Sequence, residues 1–326
     1  MFIRVLASVA IAFCAAGSQA AETTLRAVTS LPSTHAINAQ FHALIKDVNA
    51  RGKGMVQIQY VGGPEAMPVS EQLAALQRGV ADLYFGPASY FDGQVPETGA
   101  LNASNRSAAE LRASNGYALL NKAYNAKAGA EFLGYFGSGV SFHIYLKGEP
   151  KRLPSGAASF EGLKLRGAPI FRAFYDSLGA TLVIVQAPEI YTALERGVVD
   201  GIGWTANGIA DNGWEKLLKT RVFPTFWQGD IALLGNLDAL KKLDAPARSF
   251  LLDAIVQAEK GAQEWGLGEA RKQEPKIQAA GMKDLKLEGA EAKKFYAAAY
   301  GSLWAQLERR LPKEEVDALK KAFYKD

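Results

Sequence analysis

Apolar and polar positions alternate through residues 55–61 (MVQIQYV), the period of a strand with one buried face. Between 34 and 50 the apolar residues Ile37, Phe41, Leu44, Ile45 and Val48 instead fall three or four apart, the period of a helix. The two periods recur in a fixed order. Residues 24–31 predict a strand, 34–50 a helix, 55–61 a strand, 70–78 a helix stopped by Gly79, and 80–85 a strand. Residues 163–167 predict a strand again, 171–178 a helix, 181–186 a β-branched strand, 188–196 a helix stopped by Gly197, and 198–204 a strand. Each half reads strand–helix–strand–helix–strand, a unit that buries a parallel sheet beneath helices.

The halves also share letters. EQLAALQRGVADLYFG (71–86) and EIYTALERGVVDGIG (189–203) both contain Ala-Leu, Gln or Glu, Arg-Gly-Val, one variable residue and Asp, at an offset of 118 residues. Helix-to-strand chemistry accounts for most of it: Gly79 and Gly197 adopt positive φ cheaply, and Leu76 and Leu194 face the cores. Asp82 and Asp200 are expected to accept local backbone hydrogen bonds rather than to touch a ligand. Pro150, Pro154 and the polar run 155–159 suggest a crossover between lobes. Residues 245–281 predict a long helix that could brace both lobes and that Pro275 bends or ends. Residues 290–311 predict another, packed through Phe295, Ala298, Ala299, Leu303 and Leu307.

The N-terminal twenty residues differ from the rest. Arg4 precedes an apolar run over 5–16, and Ser18-Gln19-Ala20 fits a small-x-small cleavage site, so 1–20 reads as an export signal and the protein as periplasmic. Cys14, the only cysteine, lies inside that segment, which leaves no thiol for disulfides, nucleophilic catalysis or a Cys-based metal site beyond it. The formal charge of +4 is mild and dispersed, with no basic tract interleaved with aromatics, so nucleic acid is not an expected partner. There is no HExxH, no G-x-S-x-G and no complete phosphate loop, and three scattered histidines do not specify a metal centre. No catalytic set, cofactor or metal is expected; a secreted α/β hydrolase is the enzymatic alternative.

Arg166 is the leading candidate for chemistry. It sits at the expected C-terminal edge of a strand in GLKLRGAP, where ligand crevices of open α/β sheets form, and a guanidinium matches a carboxylate through two parallel hydrogen bonds. A surface ion pair with Glu161 or Asp176 is the competing reading of the same residue.

GLKLRGAPIFRAFYDSLGA followed by APEIYTALERGVVDG resembles the solute-binding proteins of tripartite ATP-independent periplasmic transporters, the family named for its C4-dicarboxylate-binding branch. The resemblance runs from the first strand to the last helix. It implies an α/β, two-lobed periplasmic binding protein fold, each lobe a sheet flanked by helices, joined by crossovers and a long spanning helix. The expected division is 1–20 as signal, 21–144 with about 230–260 as the first lobe, and 145–229 with about 261–326 as the second. The resemblance also implies closure around a small organic carboxylate and delivery to small and large integral-membrane permease subunits driven by an ion gradient. The protein is expected to be a monomer. A sensory receptor of the same fold is a further alternative.

The family's selectivity arginine falls on Arg166. Trp204 stands where many members place an Asn, and the second arginine of the sialic-acid-binding branch is missing, with Phe142 and His143 nearby in FHIYLKG. These departures point to an aromatic pocket of Trp204, Phe142, Tyr90 and Trp227, and to an aromatic or branched monocarboxylate. His35 and His143 are candidate donors, Glu65 belongs to a loop that the resemblance places near ligand, and Asn207 and Asn236 are second-rank contacts.

Overall fold

The structure, a computed structural model, describes residues 22–325; the expected signal segment lies outside them. Its strands, in chain order, are β1 (Thr23–Thr29), β2 (Val56–Gly62), β3 (Leu83–Pro87), β4 (Ala130–Tyr135), β5 (Ser141–Leu146), β6 (Lys151–Arg152), β7 (Ala158–Ser159), β8 (Lys164–Gly167), β9 (Thr181–Ile184), β10 (Gly201–Thr205), β11 (Thr220–Phe223), β12 (Phe226–Gln228), β13 (Ile231–Asn236) and β14 (Lys283–Lys286). They form two mixed sheets, β2-β1-β3-β13-β4 and β14-β11-β5-β10-β8-β9, with β12 also paired to β5 and a small β6–β7 hairpin. Helices cover each sheet, so the fold is the expected two-lobed one.

The two sheets have the same internal logic. In the first, β1 runs parallel to β2 and β3, and β13 runs antiparallel to β3 and β4. In the second, β8 runs parallel to β9 and β10, and β5 runs antiparallel to β10 and β11. The repeated motif occupies corresponding corners. Gly79 (φ 66°) and Gly197 (φ 68°) both turn the chain out of a helix. Val80 and Val198 then bond back to the carbonyls of Ala75 and Ala193. Asp82 Oδ2 accepts the Arg26 N–H at 2.8 Å, and Asp200 Oδ2 accepts the Lys164 N–H at 2.8 Å. Each aspartate thus pins a backbone N–H of the neighbouring parallel strand, and the motif is structural in both copies.

Each sheet borrows its antiparallel strand from the other half of the chain. β5 completes the second sheet and β13 the first, so the chain passes between lobes over 136–140 and again at Gly229-Asp230. The polar run 150–159, expected to be a crossover, instead forms the β6–β7 hairpin within the second lobe. The boundary expected at 144–145 falls inside β5, because that strand's backbone groups are satisfied by β10 and β11.

The long helix expected over 245–281 is two, Ala245–Lys260 and Ala262–Ala279, joined at Gly261. Pro275 lies inside the second without ending it. Gln273 and Ile277 flank it and are buried, and that packing outweighs the local cost of about 3 kcal/mol. The pair does span the lobes. Glu259 accepts from Arg112 Nε (2.7 Å) and the Tyr135 N–H (2.6 Å) in the first, and Glu274 holds Arg221 of β11 through two bonds (2.7 and 2.9 Å) in the second. The helix Gly289–Glu308 packs Phe295 and Leu303 on the second lobe. The helix Lys313–Phe323 returns to the first lobe through Val316, Leu319 and Phe323.

Candidate functional site

Arg166 is the penultimate residue of β8, beside Val183 of β9 and Ile202 of β10. The residue is only 3% exposed, which rejects a surface ion pair; Glu161 and Asp176 are both exposed. Its Nε donates to the Val185 carbonyl at 2.8 Å, and its own carbonyl accepts from Tyr175 Oη at 3.1 Å. The guanidinium carbon lies 4.9 Å from the centre of the Trp204 ring. Backbone and ring therefore fix the fork from behind, and no carboxylate among the described residues forms an ion pair with it. A buried cation without a counter-charge is costly, and the Trp204 face offsets only about 1–2 kcal/mol of that cost.

The fork faces a narrow cavity between the lobes, about 40 Å³ in volume and partly open to solvent. Arg166, Ala168, Phe171, Phe142, Trp204 and Thr205 line it from the second lobe. Leu31, Ile37, Ser89, Tyr90 and Ile231 line it from the first, and the crossover Gly229-Asp230 closes one end. The cavity caps the carboxyl ends of β1, β3, β8 and β10, as expected for an open α/β sheet. A mouth of about 190 Å³ adjoins it through Tyr90, Arg166 and Ala168, and adds Ser70, Leu73, Ile184 and Gln186. Among the described residues, Arg166 is the single cationic side chain lining either space. The buried Tyr90 hydroxyl has no hydrogen-bond partner among the described residues. Burial raises its pKa, the Arg166 charge opposes that shift, and Asp230 adds to it.

Of the residues expected at the site, the structure brings together Arg166, Trp204, Phe142 and Tyr90. The others serve elsewhere. Trp227 is sealed among Phe171, Phe174 and Phe226 and donates Nε1–H to the Ala299 carbonyl at 2.9 Å. His143 shares β5 with Phe142 but points to the opposite face, where Nδ1 lies 2.9 Å from the Val222 carbonyl. His35 is wedged between lobes rather than facing the cavity: its Nδ1 accepts the Ile37 N–H at 3.2 Å and its ring meets Trp204 edge-on. Burial lowers the pKa of both histidines to about 4, so both rings are neutral at pH 7. Glu65 is exposed and closes its own turn by accepting the Gly63 N–H. Asn236 caps the helix Leu237–Lys241. Asn207 braces the site from outside: its carbonyl accepts Trp204 Nε1–H (3.2 Å), and its Nδ2 donates to the Gly266 carbonyl of the spanning helix (2.9 Å).

The sequence reading missed Asp230, Ser89, Phe171 and Thr205. Asp230 is fully buried; its Oδ2 accepts the Ser89 N–H and its Oδ1 accepts Asn102 Nδ2–H at 3.2 Å. The one available signal was Gly-Asp directly before the apolar run IALL, a charged residue where the chain re-enters a core. Phe171 looked like a helix residue, and only the packing of its short 3-10 turn turns the ring to the cavity.

The family described as Bacterial extracellular solute-binding protein, family 7 (DctP), matches residues 27–310. A solute-binding protein of Verminephrobacter eiseniae is 25% identical over 320 residues, 93% of this chain and 90% of its own. A monocarboxylate 2-oxoacid-binding periplasmic protein of Nostoc is 25% identical over 251 residues, 72% of this chain and 65% of its own. The extracytoplasmic solute receptor DctP6 of Bordetella pertussis, which binds pyroglutamic acid, superposes with a TM-score of 0.79 at 18% identity, over 92% of this chain and 99% of its own. Other solved structures of this fold hold ligands as different as L-galactonate, orotic acid, succinate and malonate.

Proposed function

Because this chain belongs to family 7 of the bacterial extracellular solute-binding proteins, we propose that it captures a small organic monocarboxylate between its lobes and presents it to the membrane subunits of an ion-gradient-driven tripartite transporter. The observation that carries this reading is the buried fork of Arg166, held from behind and aimed into an interlobe cavity with no counter-charge in contact with it. A carboxylate supplies that counter-charge through two parallel hydrogen bonds. Phe142, Phe171, Trp204 and Ile37 offer a largely apolar wall for the rest of the molecule, which favours an aromatic or branched body over a sugar acid.

The open lobes admit the ligand. The carboxylate docks on Arg166, and closure brings Ser89 and Tyr90 of the first lobe against it. The Tyr90 hydroxyl is a donor available to the same carboxylate, so one ligand group ties the lobes together. Closure removes water from both charges, and the contact holds because each is the other's partner. The bodies that close are the two sheets with their own helices, and the closed pair is the form the periplasmic face of the permease receives. The 2-oxoacid- and pyroglutamate-binding relatives support a monocarboxylate; the succinate and malonate relatives define the competing class.

A thermal-shift series on protein unfolded and refolded to strip carried ligand tests the reading. Branched 2-oxo acids, phenylpyruvate, benzoate, pyroglutamate, succinate and sialic acid form the panel. Saturable stabilisation by the monocarboxylates without a sugar body is expected, at least a hundredfold weaker in affinity for Arg166→Ala. Unchanged binding by that variant overturns the role of Arg166. Stabilisation by sialic acid or succinate alone overturns the ligand class.

A further inference from the structure

Resting on the reading of Arg166 as the carboxylate anchor, we propose that Asp230 is a specificity-determining residue that excludes dicarboxylates by placing a fixed negative charge in the same cavity. Arg166 and Asp230 line one cavity, and among the described residues no second cation lines it or its mouth. Asp230 is not spent on Arg166, since the two form no ion pair. Its oxygens accept instead from the Ser89 N–H and from Asn102 Nδ2–H, and Asn102 also donates to the Gln228 carbonyl at 2.9 Å. Two donors and the crossover backbone therefore hold the carboxylate in place. Both hydrogen bonds favour its ionised form, while burial works against it and raises its pKa from the ordinary aspartate value.

A monocarboxylate on Arg166 leaves a neutral body against the aromatic wall. A diacid on Arg166 carries its second charge into a space whose remaining fixed charge has the same sign. At separations of about 6 Å in a partly desolvated site, that repulsion weakens binding by a factor on the order of 10 to 100. The charge thus sets a preference that the apolar wall alone would not, because a wall rejects a carboxylate only by failing to solvate it.

Isothermal titration calorimetry with 4-methyl-2-oxopentanoate and 2-oxoglutarate tests the proposal. Both carry a 2-oxo-carboxylate head; one tail ends in an isopropyl group, the other in a carboxylate. The native protein is expected to bind the first at least tenfold more tightly. Asp230→Asn, which keeps the shape and an acceptor for the Ser89 N–H, is expected to narrow that ratio by at least tenfold. Asp230→Glu, which keeps the charge, is expected to retain a preference for the monocarboxylate. Should Asp230→Asn fail to fold, Asp230→Ser still offers an acceptor to Ser89 and carries the same expectation. An unchanged ratio in the neutral variant, or a native protein that prefers 2-oxoglutarate, overturns the proposal. Binding of neither probe, or binding that survives Arg166→Ala, overturns instead the anchor reading on which it rests.

Discussion

At the scale of single residues, burial separates the groups that await a ligand from those already satisfied. Arg166 is buried with a backbone partner at Nε but no ion-pair partner for its charge, whereas His143 is buried with a backbone partner and its ring neutral. The latter has a measurable consequence. The ordinary histidine pKa of 6.5 falls to about 4 in the fold because burial disfavours the charged ring. Between those values the unfolded chain binds the proton more readily, so the contribution of His143 to stability is constant above pH 6.5 and declines as pH falls toward 4. Asp92, Asp230 and Glu259, whose carboxyl pKa values burial raises, act in the opposite direction. The comparison must therefore be native protein against His143→Gln. Urea unfolding at pH 7 and pH 4.5 is expected to show the native protein losing about 2–3 kcal/mol more than the variant. Equal losses would show that the ring titrates normally in the fold.

At the scale of elements, the repeated helix–glycine–strand corner carries more stability than its surface position suggests. Gly197 has a φ of 68°, and a Cβ there would meet only the flexible Lys147 Nζ, at 3.9 Å. Replacement by Ala then isolates the backbone cost, about 1–2 kcal/mol, and Asn, which tolerates this conformation, is expected to cost less. Leu194, fully buried one turn earlier, is expected to cost about 2–5 kcal/mol as Ala. Denaturant midpoints of the three variants check the ordering. If Gly197→Ala and Gly197→Asn cost the same, steric conflict rather than left-handed backbone is the cause.

At the scale of the whole molecule, closure depends on surfaces that touch only across the lobes. His35 of the first lobe seats against Gly208 of the second, where a Cβ would approach Nε2 to 2.5 Å and φ is 88°. Trp204 lies beside this contact and against Arg166. Gly208→Ala is therefore expected to hold the lobes apart and to weaken ligand affinity at least tenfold with Arg166 intact. Small-angle scattering at saturating ligand should show a larger radius of gyration than for the native protein. The native radius with unchanged affinity would mean that the contact bears no closing load.

The order of elements, the paired corners and the position of Arg166 at a strand edge were legible in sequence, because hydrophobic period, left-handed glycine and strand-end chemistry are local. Local patterns could also say that Asp82 and Asp200 would bond to backbone, though not to which strand. What belonged to tertiary structure was every statement about which face or which lobe. His143 and Phe142 are adjacent in sequence and diverge by the alternation of a strand; Trp227 is an aromatic near the cleft by number and a core residue by packing. β5 and β13 change sheets because their backbone groups find partners only there, and no residue in either strand encodes that choice alone. Asp230 is the plainest case: one carboxylate in the sequence among many, given its place on the cavity that Arg166 lines by two donors more than a hundred residues away from it.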